Sequence, residues 1–177
     1  MKTIMKITGT LLIAALVVTS CGKESSGTGR MTVKMKDAPI DYDSVNVQVV
    51  SVEVHYSGSN GGWVTLPTNA GMYNLLELQN DVTAVLSSGG ELPVGDITQM
   101  RLILGNTNYV VIDSIPFPLD LTSQDKTGLK FNLNSSIASG DSVEVLIDFD
   151  AEKSILETSA TSFKLKPVIK VESIVYY

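Results

Sequence analysis

The chain has 177 residues, 44% of them hydrophobic and 18% charged, and its 19 acidic against 13 basic side chains give a formal net charge of −6. An acidic chain without a basic cluster argues against nucleic acid as a partner and against an anionic membrane held by the protein surface itself. A single cysteine rules out an internal disulfide, and a single histidine leaves little for hydrolytic triads or zinc sites.

The first twenty residues read as a targeting segment, outside the fold. Lys2 and Lys6 make a basic start, and Ile7 to Val18 is an apolar run too short for the about 20 residues of a membrane-spanning helix. The run ends in Val18-Thr19-Ser20-Cys21. That element resembles a lipobox, in which the peptidase takes small residues just before the cut and Cys21 then carries lipid. Bacterial lipoproteins typically bear three acyl chains on this cysteine. One chain binds only marginally, at about 0.8 kcal/mol per buried methylene, so several chains make the anchor stable. Residues 21–30 continue as a Gly/Ser-rich polar stretch (CGKESSGTGR) expected to be a flexible tether. Gly22 stands where aspartate marks inner-membrane retention in some bacteria, which favours an outer-membrane address and leaves the side open. The expected domain is 31–177. Without Lys2 and Lys6 the charge falls from −6 to −8, which helps solubility.

From Met31 onward, period-two alternation predicts strands. Met31, Val33 and Met35 alternate with Thr32, Lys34 and Lys36. In Ser44–Tyr56, Val45, Val47 and Val49 have one parity and Val50, Val52 and Val54 the other, so a bulge or a sheet-switching bend is expected between Val49 and Val50. Gly58 to Gly62 then turns into Trp63-Val64-Thr65-Leu66 as a hairpin. Val82, Val85 and Leu86 have helical spacing, with Asn80 or Asp81 as a cap and Gly89 as a stop, and predict a short helix. Ile97–Leu104, Tyr109–Ile112, Pro116–Leu121 and Leu129–Leu133 follow as strands. Val143, Val145, Ile147 and Phe149 share one strand face. Phe163 to Val171 alternates as one further strand, with Pro167 implying an edge or a bulge. Around eight strands and one helix give an all-β antiparallel sandwich, immunoglobulin-like or transthyretin-like.

Several short runs carry a resemblance: Lys36-Asp37-Ala38-Pro39, Val52-Glu53-Val54-His55, Gly62-Trp63-Val64-Thr65-Leu66 and Leu75-Leu76-Glu77-Leu78-Gln79-Asn80. Leu92-Pro93-Val94-Gly95, Gln99-Met100-Arg101-Leu102, Gly128-Leu129-Lys130, Asp148-Phe149-Asp150-Ala151-Glu152-Lys153-Ser154 and Leu165-Lys166-Pro167-Val168-Ile169 follow in order. Together they resemble domain-of-unknown-function 4382, common in secreted bacterial lipoproteins, over nearly all of Met31 to Ile174. The chain departs from it at Gly95-Asp96-Ile97, where the family tends to Gly-x-Tyr, and at Thr158 to Ser162, which lacks a glycine turn. The resemblance implies the fold and the lipoprotein class. It implies no activity.

Chemistry has few places to sit. His55 falls on the polar parity of its strand and reads as a solvated or hydrogen-bonded side chain. No Gly-rich phosphate loop precedes a helix. Asp148 and Asp150 are spaced i, i+2, about 7 Å apart on one strand face, which does not by itself make a glycosidase cleft. No enzyme is expected. The same acids, with Asp37, Asp41 and Asp43, could ligate calcium, whose six to eight oxygen ligands tolerate irregular loops. The competing and preferred reading is turn chemistry: Asp37 before Ala38-Pro39, Asp150 as cap of Ala151–Ser154, and neutralisation by Lys164, Lys166 or Lys170. No other cofactor is expected. Trp63 either stacks on a sugar or seals the core, and the core is preferred. The expected function is thus a non-catalytic binding or structural sandwich on the cell envelope. Its partners would be the membrane, through Cys21, and an envelope protein or glycan. The alternatives are a carbohydrate-binding accessory module and a carboxylate-based hydrolase.

Overall fold

A computed structural model describes residues 27–57, 61–123 and 125–177. The signal segment, Cys21 and most of the tether expected over residues 21–30 lie outside these described residues. Strands dominate the rest: β1 (Thr28–Asp37), β2 (Ser44–Tyr56), β3 (Trp63–Thr65), β4 (Gly71–Asn74), β5 (Ala84–Pro93), β6 (Gly95–Leu104) and β7 (Tyr109–Ile112). They continue as β8 (Ile115–Leu121), β9 (Leu129–Ile137), β10 (Ser142–Phe149), β11 (Ile155–Ser159), β12 (Ser162–Leu165) and β13 (Ile169–Tyr176). The helical turn α1 (Ala151–Ser154) sits between β10 and β11, and a 3-10 helix covers Leu75–Leu78.

Two sheets form a sandwich. One has the order β13-β10-β1-β5; the other runs β11-β12-β8-β7-β2-β6-β9, with β3 and β4 also paired to β2. Both are mixed rather than wholly antiparallel, because β1 runs parallel to β10 and β8 parallel to β12. The core between them is the set of inward parities predicted from alternation: Met31, Val33 and Met35 of β1, Met100 and Leu102 of β6, and Val143, Val145, Ile147 and Phe149 of β10 are all 0–2% exposed. Tyr56 ties the sheets at one end, its hydroxyl donating to Pro93 O at 2.7 Å, and burial pushes its pKa up to about 12. Gly29 allows the sheets to close there: a Cβ on it would lie 2.5 Å from Ile137 Cγ2.

The expected irregularity in β2 is a bulge. Val49 pairs with Leu104 and Ser51 with the adjacent Ile103, so Val50 is the extra residue and is 45% exposed. One surplus residue reverses parity, and Val45, Val47 and Val49 therefore share the core with Val52 and Val54. Just before the bulge, β2 changes partner from β7 to β6, and the buried Asn108 fills the gap by accepting from Gln48 N at 2.8 Å and donating to Gly105 O.

Three expectations need correction. The helix predicted around Val82–Leu86 is absent: β5 begins at Ala84 and pairs with β1, Lys34 opposite Val85 and Met35 opposite Ala84. Asn80 and Asp81 have φ of 54° and 68°, a left-handed turn rather than a cap, and Gly89, at φ 62°, lies beside an irregularity in the β1–β5 ladder. Pairing along β1 overrides a three-residue helical spacing. The single strand expected over Phe163–Val171 is two strands in different sheets, with Pro167 in the crossover between β12 and β13. Finally, Thr28, Gly29 and Arg30 belong to β1 and not to a tether.

Every β1 residue from Arg30 to Asp37 advances in step with β10. The chain therefore enters at one end of the sandwich and delivers Asp37, Asp148 and Asp150 to the other. No helix among the described residues is long and apolar enough to cross a membrane.

Candidate functional site

The acidic end of β1 and β10 is built by parity and register. Asp37 has the parity of Met31, Val33 and Met35, so it faces inward and is 5% exposed. Asp148, opposite Lys36 in the ladder, has the parity of Leu146 and faces away from Phe149. Asp150 follows the strand and caps α1, its Oδ1 accepting from Lys153 N at 3.0 Å. The cap on Ala151–Ser154 is as expected. Asp37 does something else: its Oδ1 accepts from Ala151 N at 2.9 Å, which joins the end of β1 to the first turn of α1. Its Oδ2 and the Oδ1 of Asp148 are buried without a hydrogen-bond partner.

The charges balance unequally. Lys170 reaches Asp148 Oδ2 at 3.1 Å and Glu172 at 3.4 Å, while Lys36 holds Glu172 at 2.9 Å. These contacts raise the pKa of Lys170 and lower that of Glu172. Partial burial opposes ionisation of Asp150, but its bonds to Lys153 outweigh it and leave the pKa lowered. Among the described residues Asp37 meets no cation. Burial pushes its carboxyl up to about 7, against the backbone bonds from Ala151 and Ala38, and the charges of Asp148 and Asp150 add to the rise. Of the three lysines expected to neutralise this end, Lys170 does so.

The five aspartates do not gather. Asp43 turns to the β7–β8 hairpin, accepting from Ser114 N at 2.7 Å, and Asp41 is exposed in the β1–β2 connection. Among the described residues no group of three or more His, Cys, Asp or Glu side chains is placed to hold a metal ion. The opposite parities of Asp37 and Asp148 explain why the strand ends do not supply one.

Trp63 lies neither in the core nor on a loop rim, and the preference for a core role is corrected. It is half-buried on the outer face of the larger sheet, opposite His55 in the β2–β3 ladder. Successive pairing makes two rows on that face: Trp63, His55, Gln99 and Asn132, then Thr65, Glu53, Arg101 and Lys130. The Arg101 guanidinium lies 4.3 Å from the Trp63 ring centroid, and Lys130 Nζ lies 5.8 Å from it. Glu53 accepts from Arg101 Nε at 2.7 Å and so holds the guanidinium over the indole. His55 meets the ring edge-on at 5.1 Å and its Nδ1 is 3.2 Å from Thr98 Oγ1, which gives the lone histidine hydrogen-bonded and aromatic partners on the outer face. Sequence parity had put Glu53 and His55 on this face. The bond between Glu53 and Arg101, 48 residues apart, became visible only with the β2–β6 register.

Four of the surface cavities among the described residues are lined by none of Asp148, Asp150 and Trp63. A cleft of about 340 Å³ lies between the starts of β9 and β13, lined by Lys130, Phe131, Pro167 and Ile169 among others.

No curated protein and no solved structure matches the chain. A family model described as "Domain of unknown function (DUF4382)" matches residues 28–167, from the first residue of β1 to the crossover before β13. The match covers well over half of the chain, and the chain belongs to the DUF4382 family.

Proposed function

We propose that the chain is a non-catalytic lipoprotein of the bacterial cell envelope, cut before Cys21 and held by lipid on that thiol. Its β-sandwich then serves as a binding or structural module at the membrane, with the outer membrane the favoured address. The observation that supports this reading most is spacing. Cys21, in its lipobox-like setting, stands seven positions before Thr28, where the family domain and its first strand both begin. The folded domain follows the lipidation element directly. The test replaces Cys21 with Ser and labels cells with a clickable fatty acid: the parent takes label and stays with membranes, whereas Cys21→Ser takes none and becomes soluble. Equal labelling of both ends the proposal.

Carbohydrate binding stays as a second reading because Trp63 is on the outer face in one row with His55, Gln99 and Asn132, and the amides of the last two suit hydroxyl groups. Arg101 already covers a face of the indole, however, and the ring next to Trp63 is an imidazole. A sugar would have to stack on the remaining face. Binding to a polysaccharide that persists unchanged in Trp63→Ala would remove this reading.

A further inference from the structure

The end of the sandwich where β1 begins also collects the most exposed aromatic side chains. Thr28 pairs with Pro93, Arg30 with Ser142, and Val143 with Tyr176, so the start of β1 and the end of β13 lie two strands apart, about 10 Å. Tyr177 continues past β13 on a fixed backbone, its N–H donating to Ser142 O at 2.9 Å. Its side chain is 75% exposed, that of Tyr176 50% and that of Val175 40%. Arg30 and Tyr177 both line a cavity of about 140 Å³, together with Ser142, Val143 and Glu144 among others. Glu91 lies 3.7 Å from the Arg30 guanidinium, and Asp141 is in the adjoining loop. This end thus presents Tyr177 beside Arg30, Tyr176 on the other side of the sheet with its hydroxyl 2.9 Å from Ser135 Oγ, and the carboxylates of Glu91, Asp96 and Asp141, with Glu144 paired to Lys34.

We propose that this end of the domain docks on the surface of a zwitterionic bilayer, with Tyr177 and Tyr176 at headgroup level and Arg30 against headgroup phosphate. The inference rests on the lipid anchor at Cys21. From Cys21 to Thr28 there are seven residue steps, which span at most about 25 Å in any conformation. That leash keeps the start of β1 close to the lipid and raises the local concentration of headgroups, so weak contacts suffice. Tyrosine suits the position, since its ring is apolar and its hydroxyl polar, and such rings gather at membrane–water interfaces. Mixed charges around Arg30 match a phosphate and an ammonium together better than an anionic surface.

Seven of the eleven aspartates lie away from the pose. Asp37, Asp41, Asp43, Asp81, Asp113, Asp148 and Asp150 all lie toward the opposite end, where β1 and β10 finish and β2, β5 and β8 begin. β1 has ten residues. At about 3.3 Å per residue it places them about 30 Å from the docking end, several times the about 8 Å over which charge acts at physiological salt.

The experiment uses the full lipidated chain in phosphatidylethanolamine–phosphatidylcholine vesicles carrying a headgroup nitroxide lipid. A fluorophore is attached at Ser139→Cys, at the docking end, or at Asp41→Cys, at the far end. The expected result is strong quenching at residue 139, at least threefold above that at residue 41. A short leash alone gives some of that preference, so the decisive comparison is Tyr177→Ser, which should lose at least half of the quenching at residue 139. Tyr177→Trp should retain it. The bonds from Tyr177 to Ser142 are backbone bonds and survive either change. Vesicle flotation with no loss in Tyr177→Ser overturns docking and leaves the anchor standing. Failure of the parent to float overturns the anchor, and docking with it. An increase in quenching with added anionic lipid would overturn the zwitterionic assignment.

Discussion

Asp37→Asn should change how stability depends on pH. Asp37 is 5% exposed and lacks a cationic partner, and its carboxyl pKa stands at about 7 in the fold against 3.8 when free. A carboxyl raised on folding makes the native state bind the proton more tightly than the unfolded chain. Its contribution is therefore complete below about pH 4 and is lost as pH rises to about 7. With about 1.4 kcal/mol per tenfold, the full span is about 4 kcal/mol, and the part between pH 5 and pH 8 is about 2.5 kcal/mol. Asn keeps the Oδ1 acceptor for Ala151 N and has no proton to lose.

The assay is urea unfolding of parent and Asp37→Asn, both unlipidated through Cys21→Ser, at pH 5, 6, 7 and 8 in one ionic strength. Subtracting the two profiles removes every other titrating group. The parent should lose about 2.5 kcal/mol relative to the variant across this range. Parallel profiles would refute the reasoning, because they would mean that Asp37 ionises in the fold as it does in water. Asp37→Ala separates charge from hydrogen bond: it strands a buried N–H at Ala151 and should cost about 1–3 kcal/mol at every pH.

How far the sequence disclosed this protein depends on how local each signal is. Alternation located β1, β6, β7 and β10 because one buried face leaves a period of two over several residues. The opposed valine parities in β2 disclosed the bulge at Val50, a defect that local pattern alone can show. What failed was non-local. Val82, Val85 and Leu86 fit a helix in isolation, and only the presence of β1 as a partner makes Ala84–Pro93 a strand. Phe163 to Val171 keeps its alternation across Pro167 while the chain passes between sheets, since both sheets bury a face against the same core. Asp37 looked like a turn residue beside Ala38-Pro39. Its burial follows from extending the parity of Met31, Val33 and Met35 by one step, a signal that was present and outweighed by the proline. The cover of Arg101 over Trp63 had no sequence signal at all, because it needs the β3–β2–β6 register.

Three further outcomes are expected. Arg101→Ala should cost about 1–2 kcal/mol, since it leaves the carboxylate of Glu53 partly buried without its cation, and should shift Trp63 emission; an unchanged spectrum would mean that the guanidinium does not cover the ring. Deleting Val50 should straighten β2 while keeping Val45, Val47, Val49, Val52 and Val54 on the core face, at about 1–2 kcal/mol, and loss of folding would show that the bulge does more than correct parity. The last concerns calcium. A five-aspartate site would bring about 2.7 kcal/mol of stabilisation at a hundredfold excess over Kd, or roughly 5–10 °C in melting temperature for a domain of this size. The fold instead sends Asp43 to Ser114, pairs Asp148 with Lys170, caps α1 with Asp150 and turns Asp37 inward. Each of these four carboxylates has a separate task, and ligating one ion would mean breaking bonds that hold both strand ends. Millimolar calcium after chelator treatment should leave the melting curve where it was. A rise of several degrees that disappears in Asp148→Asn would show that the strand ends rearrange around the ion.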